Sequence, residues 1–439
     1  MDPSPSPPGT ISGTERLGWT QAAADAAELA TFRYAIYVDS VRSELSGASC
    51  APAAPDFSCM APLPSMPAGA HTLELASFIV VGDAVLESAR SVALQVTVSP
   101  RSAAPAQPVA VWPHAAVVRT EDGLGLRLEQ IAGDIIEPTD FAFAPDGRMF
   151  VAERDGRIRV VRGGRLLAVP ALSLQDAGVA GAHVLAVAVD LQFDRTHWVY
   201  AIYTTSSPAA GPTFTLARFR EAGDTLAEQV VLREHIPASS PDPSASLRVG
   251  ADGKLFAAFD DGGLATRAGD LASPNGKILR LNPDGTTPRD QAGGTPLYSY
   301  PYFSPRGLDW QPASNTLWIA DRDSESSGRL SAVVASGAVA NIRGLVRSTF
   351  TLPRGTLPSS VAFGRPNSVA GLRHSLFVAS EKGRHLFRIQ FDPLDSTRVI
   401  ATERLLQDQI GGIRLVGVAP DGTIYLGTAS AVGKLVPGD

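Results

Sequence analysis

The sequence predicts an all-β protein with an N-terminal β-sandwich followed by a six-bladed β-propeller. Three observations support this prediction. Short segments with alternating apolar residues, separated by turn residues, occur along the whole chain. No segments with a helical 3.6-residue period alternate with them, which argues against an α/β fold. From residue 141 onward, one hairpin pattern recurs six times, as expected for radially repeated blades.

The composition limits the classes of function. A length of 439 residues is too great for one small core, so two domains are expected. The net charge of −6 has mixed signs and offers no basic surface, so we expect no nucleic-acid partner. No apolar run of about 18 residues is present, so we expect no transmembrane segment.

Residues 1–12, beginning "MDPSPSPPGT", are predicted to be a disordered Pro/Ser-rich tether. They contain neither the basic nor the apolar region of a signal peptide. Such a tether is typical of an exported protein whose signal has been removed, whether periplasmic, lipid-anchored at the cell surface or extracellular. A disordered tail on a cytosolic protein is the alternative.

Residues 13–100 are predicted to form the sandwich. "RLGWTQ" places Trp19 on an early strand, and "TFRYAIYVDS" places alternate residues on one face: Phe32, Tyr34, Ile36 and Val38. These strands resemble a fibronectin type III domain, which usually acts as a spacer or binding module. Some other small β-sandwich is the alternative.

Cys50 and Cys59 are close together in a loop-like stretch. A disulfide between them would stabilise the fold by about 2–3 kcal/mol. The cytosol would instead keep both thiols reduced. Two thiolates without a nearby His or further Cys cannot complete a tetrahedral zinc shell, so we expect no metal there.

After a Pro/Ala/Ser-rich linker at 101–119, residues 120–439 are predicted to form the propeller. Each repeat has an alternating strand, a turn and a second strand that ends in small or polar residues. The six copies begin at Phe141, Leu185, Leu247, Leu308, Val361 and Val416. The strand "LGLRLEQIAG", near 124–133, is predicted to complete the last blade beside "VGKLVPG".

Together with "NGKILRLNPDGTTPRD", "SPRGLDW" and "SLFVASEKGRHLFRI", the repeats resemble soluble pyrroloquinoline quinone (PQQ)-dependent glucose and aldose sugar dehydrogenases over about 120–436. The resemblance implies a six-bladed propeller whose top-face loops hold PQQ and Ca²⁺. It also implies oxidation of a sugar C1 hydroxyl, with a His accepting the proton as hydride passes to the quinone.

Several positions depart from the family. The catalytic His corresponds to Asp242, which is either a replacement base or a solvated loop aspartate. Phe303 and Ser304 replace an Arg and an Asn, while the loop-shaping residues remain: Pro305, Gly307 and Leu308. Gly181 takes the place of a Gln, and His183 nearby is either functional or a strand-start histidine.

Two positions match the family's cofactor cations, namely Lys382 in "ASEKGR" and Arg414 in "GGIRLVGV". Gly412 takes the place of a second Arg. Each of the two cations could instead be a surface charge at a strand end.

The family's calcium loop corresponds to "DRDSESSG", in which Asp321 and Asp323 are candidate ligands, with Glu325 nearby. The Gly-Pro pair that offers backbone carbonyls is missing. A solvated polar loop is the alternative to a calcium site.

These replacements predict a divergent propeller that binds a carbohydrate or protein ligand on its top face, with weak or no PQQ-dependent oxidation. Aromatic residues suit sugar stacking or a protein contact, or else strand-edge packing: Tyr298, Tyr300, Tyr302 and Phe303, followed by Ser304. The alternative is an active PQQ-dependent aldose sugar dehydrogenase with a rearranged site of Asp242, Lys382 and Arg414.

Overall fold

The computed structural model describes residues 9–11, 16–45, 48–64, 66, 69–81, 84–98, 112, 117–179, 181–207, 211–322, 327–333 and 350–438. The chain divides into two compact units, Met1–Ala106 and Gln107–Asp439. Among the described residues, no helix is long and apolar enough to cross a membrane.

The residues described in the N-terminal unit form two β-sheets and one helical turn, α1 (Ala26–Leu29). Its strands are β1 (Gly9–Ile11), β2 (Arg16–Gln21), β3 (Arg33–Val38), β4 (Val41–Glu44), β5 (Ser49–Ala53), β6 (Asp56–Pro62), β7 (Gly69–Val81), β8 (Ala84–Glu87) and β9 (Leu94–Val98). One sheet has the order β1-β9-β7-β3-β4, with β8 paired to β7, and the other has the order β2-β6-β5. Strand β1 pairs in parallel with β9, so three residues of the predicted tether are ordered.

The core of this unit contains the apolar face predicted from the alternation in "TFRYAIYVDS". Tyr34 and Ile36 are buried, and the Trp19 ring packs edge-on against Tyr34 at 4.7 Å. The predicted disulfide between Cys50 and Cys59 is confirmed. It joins neighbouring positions of β5 and β6, and both sulfurs lie 3.7 Å from the Tyr34 hydroxyl. The disulfide is therefore part of the packed core.

The described strands of the second unit begin with β10 (Val117–Arg119) and β11 (Gly125–Ala132) and form six antiparallel sheets. The first sheet contains β12 (Pro138–Phe143), β13 (Met149–Glu153), β14 (Arg157–Arg162), β15 (Arg165–Leu166) and β16 (Leu172–Ser173). The second contains β17 (His183–Val189), β18 (Trp198–Ser207), β19 (Gly211–Ala222) and β20 (Thr225–Pro237). The third contains β21 (Ala245–Val249), β22 (Leu255–Phe259), β23 (Lys277–Leu281) and β24 (Leu297–Ser299).

The fourth sheet contains β25 (Ser304–Gln311), β26 (Thr316–Arg322), β27 (Gly328–Val333) and β28 (Phe350–Thr351). The fifth contains β29 (Ser360–Phe363), β30 (Ser375–Ser380), β31 (His385–Phe391) and β32 (Val399–Leu405). The sixth contains β33 (Leu415–Val418), β34 (Ile424–Gly427) and β35 (Val432–Pro437), together with β11 and β10. Within the described part of this unit, the connections between strands include two short α-helices, α2 (Phe193–Thr196) and α3 (Ala265–Gly269), and two 3₁₀ turns (Ala292–Gly294 and Ala370–Leu372).

The first strands of the six sheets form a closed ring. Each contacts the first strand of the next sheet, in the order β12, β17, β21, β25, β29, β33, and β33 contacts β12. Asp140 on β12 accepts a hydrogen bond from the Val187 N–H of β17 at 3.1 Å, and Asp309 on β25 accepts one from the Phe363 N–H of β29 at 2.7 Å. The unit is therefore a β-propeller, as the repeats predict.

The ring closes in the sixth sheet, where the strand near 124–133 was predicted to complete the last blade. Strand β11 pairs antiparallel with β35, so residues from the start and the end of the unit share the sixth sheet. Strand β10 adds to the same sheet, and Trp112 is buried in its core. The second unit therefore includes residues that the sequence assigned to the linker at 101–119.

We expect loss of the disulfide to weaken the N-terminal unit. Cys50 and Cys59 are separated by nine positions, and a loop of that size corresponds to about 2.5 kcal/mol of stabilisation. The double variant Cys50→Ala/Cys59→Ala should lower the free energy of unfolding by that amount, measured by calorimetry and urea unfolding. Adding a reductant should destabilise the wild type similarly and leave the variant unchanged. Equal stability of variant and wild type would contradict this role.

The fifth and sixth sheets are joined by a buried arginine, which gives a second prediction. Arg388 is only 2% exposed, and its guanidinium pairs with Glu403 at 2.6 Å and with Asp122 at 3.1 Å. Removing it leaves two carboxylates without their partner, which costs about 3–5 kcal/mol. Arg388→Ala should therefore lower the urea-unfolding free energy by that amount. The exposed Arg398→Ala should change it by less than about 1 kcal/mol, and an equal effect of both variants would contradict the assignment.

Candidate functional site

The candidate site is a cavity on the top face of the propeller, the end of the ring at which the innermost strands begin. Second strands of the same sheets run antiparallel to the first and therefore end at this face. The cavity has a volume of about 530 Å³. It is lined by Glu137, Pro138, Thr139, Arg154, Leu185, Asp242, Pro243, Ser244, Ala245, Pro305, Arg306, Arg322, Ser359, Glu381, Lys382, Arg414 and Leu415. The ring therefore brings Asp242, Lys382 and Arg414, widely separated in sequence, to one cavity.

Buried acceptors at the ends of the second strands hold the segments that lead into the innermost strands. In the first sheet, Glu153 accepts from the Ile136 N–H at 2.8 Å. In the third sheet, the Asp260 carboxylate accepts a hydrogen bond from the Ser244 N–H at 2.8 Å. In the fourth sheet, the Asp321 carboxylate accepts one from the Ser304 N–H at 2.7 Å. In the fifth, the Ser380 hydroxyl accepts from Leu357 at 3.1 Å. These contacts position the backbone that forms the cavity wall.

The cavity has more positive than negative side chains. The cationic residues are Arg154, Arg306, Arg322, Lys382 and Arg414, and the carboxylates are Glu137, Asp242 and Glu381. Among the described lining residues, the cations therefore outnumber the carboxylates by five to three. A partly enclosed cavity of this kind attracts anions, because the low-dielectric walls strengthen its field.

Asp242 lies among three arginines. Its carboxylate binds Arg306 through both guanidinium nitrogens, at 2.6 and 3.4 Å. The Arg322 and Arg154 guanidinium groups each lie 3.7 Å away. About half of the Asp242 side chain remains exposed.

This environment keeps Asp242 ionised. Burial alone would raise the pKa of its carboxyl, but the Arg306 hydrogen bond and the charges of Arg306, Arg322 and Arg154 outweigh burial and lower that pKa. A carboxylate with a lowered pKa is a weak proton acceptor. The Asp242 carboxylate is therefore poorly suited to take a proton while it is paired with Arg306.

Lys382 and Arg414, which the sequence predicted as cofactor-binding residues, also line this cavity. Arg414 is 12% exposed and pairs with Glu381 at 3.2 Å and with Glu137 at 3.7 Å. Lys382 lines the same wall. Among the residues that the structure describes, no ion pair is formed by Lys382.

Most of the predicted ligand-binding aromatic cluster lies outside the cavity wall. Tyr302 is fully buried, and its hydroxyl bonds to Ser299 at 2.9 Å. Phe303 is half-buried beneath the Arg329 guanidinium, 5.4 Å from the ring centre. Ser304 lies nearer the cavity, 3.0 Å from the hydroxyl of the lining residue Ser244. Stacking on Tyr302 is therefore not available to a ligand in this cavity.

Asp321, a candidate calcium ligand, is engaged in structural contacts. It is 1% exposed, binds the Ser304 N–H, and pairs with Arg329 at 2.7 Å. Asp323 and Glu325 lie outside the described residues. Within the described ranges, no group of three or more His, Cys, Asp or Glu side chains is arranged to hold a metal ion.

The cavity fits one requirement of PQQ and lacks another. Arg and Lys side chains suit the carboxylates of that cofactor, and five such side chains line the cavity. Hydride transfer also needs a base within reach of the sugar hydroxyl. No histidine is among the described lining residues, and Asp242 is paired with arginine.

Five charged lining residues were not predicted from the sequence: Glu137, Arg154, Arg306, Arg322 and Glu381. A signal for three of them was available in the repeats, because Arg154, Arg322 and Glu381 each follow the buried acceptor at the end of a second strand. Side chains of successive residues in a strand point to opposite sides. The residue after a buried acceptor therefore points away from the side on which the acceptor is buried.

Asp260, one of the buried acceptors, should make the stability of the fold depend on pH. Burial raises the pKa of its carboxyl to about 6, although the backbone N–H groups of Ser244, Gly262 and Ser239 lower it. Between pH 3.8 and 6 the folded state therefore binds the proton more tightly than the unfolded state. The resulting stability is fully present below pH 3.8 and is lost as pH rises through 6.

We expect the wild type to lose on the order of 2–3 kcal/mol relative to Asp260→Asn between about pH 4 and about pH 7.5. Urea unfolding of both proteins at the two pH values measures this difference. A difference that does not change with pH would show that folding leaves the pKa of Asp260 unshifted and would contradict the prediction.

The comparisons with known proteins agree with this architecture. Aldose sugar dehydrogenase YliI of Escherichia coli K12 is 23% identical over 344 residues, covering 71% of this chain and 92% of the relative. An uncharacterised protein of Synechocystis is 26% identical over 224 residues, and quinoprotein glucose dehydrogenase B of Acinetobacter calcoaceticus is 24% identical over 249 residues. The matches span 45% and 47% of this chain, and only 54% and 50% of those two relatives.

Among solved structures, an oxidoreductase described as a glucose dehydrogenase from Thermus thermophilus superposes with a TM-score of 0.60 at 28% identity. It covers 71% of this chain and 100% of its own. PQQ-bound aldose sugar dehydrogenase of Streptomyces coelicolor gives a TM-score of 0.59 at 21% identity, covering 71% and 97%. The profile described as Glucose / Sorbosone dehydrogenase matches residues 135–335 and 334–437, which is more than half of the sequence. The chain therefore belongs to the glucose/sorbosone dehydrogenase family.

Proposed function

We propose that this chain is a divergent sugar-dehydrogenase-like propeller of six blades that binds a small polar ligand in its top-face cavity, with weak or no PQQ-dependent oxidation. The observation that carries the proposal is the pairing of Asp242 with Arg306. At the position of the family's base, the chain has an ionised carboxylate that is held by a cation. The cavity therefore retains the means of binding without a strong proton acceptor.

The shape of the cavity favours a small molecule over a protein. A concave space of about 530 Å³ is in the range that ligand sites occupy. Charged and polar side chains converge on it, which suits the hydroxyl and acidic groups of a carbohydrate. The buried position of Tyr302 removes an aromatic contact that a protein partner would use.

We also propose that the N-terminal unit is a fibronectin type III-like spacer or binding module and that the protein is exported. The two sheets of β-strands in this unit support the first part of this proposal. The Cys50–Cys59 disulfide supports the second, because such bonds persist in oxidising compartments.

An active PQQ-dependent aldose sugar dehydrogenase is the second candidate. It is favoured by Lys382 and Arg414, which face one cavity at the family's cofactor positions. The relatives from E. coli and S. coelicolor bear that activity or cofactor in their names. When bound, PQQ supplies a hydride acceptor. In this alternative Asp242 would have to exchange its contact with Arg306 for the hydroxyl of a sugar.

An assay of the purified full chain with PQQ and Ca²⁺ separates the two candidates. We expect dye reduction with a panel of aldoses to be at least about 10²-fold slower than with E. coli aldose sugar dehydrogenase tested in parallel, because a strong base is missing. Quinone absorbance after gel filtration reports cofactor binding independently of turnover. Turnover comparable to the E. coli enzyme, lost in Asp242→Asn and retained in the exposed variant Glu234→Gln, would contradict our proposal and establish the enzyme.

A further inference from the structure

The contact between Asp242 and Arg306 shows which chemistry the cavity can hold. The two guanidinium nitrogens of Arg306 face the two oxygens of one carboxylate at 2.6 and 3.4 Å. A planar carboxylate is the group that the fork of an arginine binds in this way. The protein's own side chain therefore marks a carboxylate position in the cavity wall.

The arginines around this position have binding capacity left. Arg306 lines the cavity and keeps 13% of its side chain exposed. Arg154 lies 3.6 Å from Glu137 and 3.7 Å from Asp242, which are ion-pair rather than hydrogen-bond distances. One aspartate thus serves three guanidinium groups.

Crowding of these cations also costs free energy. Burial and the nearby charge of Arg306 lower the pKa of Arg322 to about 10. Burial and the charge of Arg414 likewise lower the pKa of Arg154. A further anion in the cavity would relieve both effects, since an opposite charge favours the protonated form of arginine.

We propose that Arg154, Arg306 and Arg322 bind the carboxylate of an acidic sugar, and that Asp242 competes with that carboxylate for the same guanidinium groups. The inference rests on the proposed ligand-binding function and names its ligand class. An acidic sugar combines a carboxylate for the arginines with hydroxyl groups for the polar walls. The described lining, with five cations and three carboxylates, favours such an anion over a neutral sugar.

The segment that carries Asp242 makes the competition testable without disturbing the fold. Ser239 and Ser244, on either side of Asp242, both donate backbone N–H groups to Asp260, at 3.2 and 2.8 Å. These two anchors hold the segment independently of the Asp242 side chain. The isosteric change Asp242→Asn therefore removes the charge and leaves the backbone supports in place.

Isothermal titration calorimetry of the full chain with D-glucuronate, D-glucose and inorganic phosphate tests the proposal. The wild type should bind glucuronate at least about tenfold more tightly than glucose, as one charge-assisted contact provides. Asp242→Asn should raise the affinity for glucuronate about tenfold. Arg322→Gln should lower glucuronate affinity about tenfold, and Arg322→Lys, which keeps the charge and packing, should recover part of the loss.

Glu234→Gln, an exposed charge change outside the cavity, is the matched control and should bind like the wild type. Equal affinity for glucuronate and glucose, or weaker glucuronate binding in Asp242→Asn, would overturn the proposal. Phosphate that binds more tightly than glucuronate would overturn the assignment to a carboxylate. If the protein binds glucose but not glucuronate, the acidic-sugar inference fails and the proposed sugar-binding function stands. If the protein shows PQQ-dependent turnover, the proposed function fails, and the relative affinities for glucuronate and glucose still test the inference.

Discussion

The top face depends on one repeated interaction, a buried acceptor at the end of a second strand that binds the backbone leading into the innermost strand. Glu153, Asp260 and Asp321 provide a carboxylate for this purpose. Burial raises the pKa of each of these three carboxyls. The hydrogen bonds offset part of the cost of burial, and without them the loops of the cavity wall would have no fixed position.

The same strand ends connect structure to function. Arg154 follows Glu153 and Arg322 follows Asp321, so a buried acceptor and a more exposed cation are adjacent in two of the sheets. The acceptor fixes the loop, and the next residue extends into the space that the loops surround. Closing the ring then brings cations from separate sheets to one cavity. The positive charge of the cavity therefore results from the repeated strand ends and from the closed ring that brings them together.

Much of the propeller could be predicted because its signals are local. Hairpin alternation and Asp-Gly turns indicated the repeats, and the leftover strand near 124–133 indicated how the ring closes. The disulfide was predictable from spacing and surroundings. The arginine cluster was harder, because Arg154, Arg306 and Arg322 are far apart in sequence and only the closed ring brings them near Asp242.

Tyr302 illustrates the opposite difficulty. Its neighbours in sequence are aromatic and precede an innermost strand, which favoured a ligand contact. Its side chain instead fills the core between the third and fourth sheets. The direction in which the Tyr302 side chain points, rather than its aromatic character, determines that it packs in the core. The fibronectin type III-like identity of the first unit and the export of the protein remain predictions.

The pairing of β11 with β35 has a consequence for chain order. The N–H of Gly438 donates to the carbonyl of Gly125 at 2.9 Å, so the two ends of the propeller lie side by side. Contacts between adjacent sheets recur around the whole ring, including the pair formed by β33 and β12. A circularly permuted propeller, with the residues before β10 linked to those after β35 and the chain opened at a surface turn between two other sheets, would preserve every strand pairing. The position of the termini is thus incidental to the architecture of the ring.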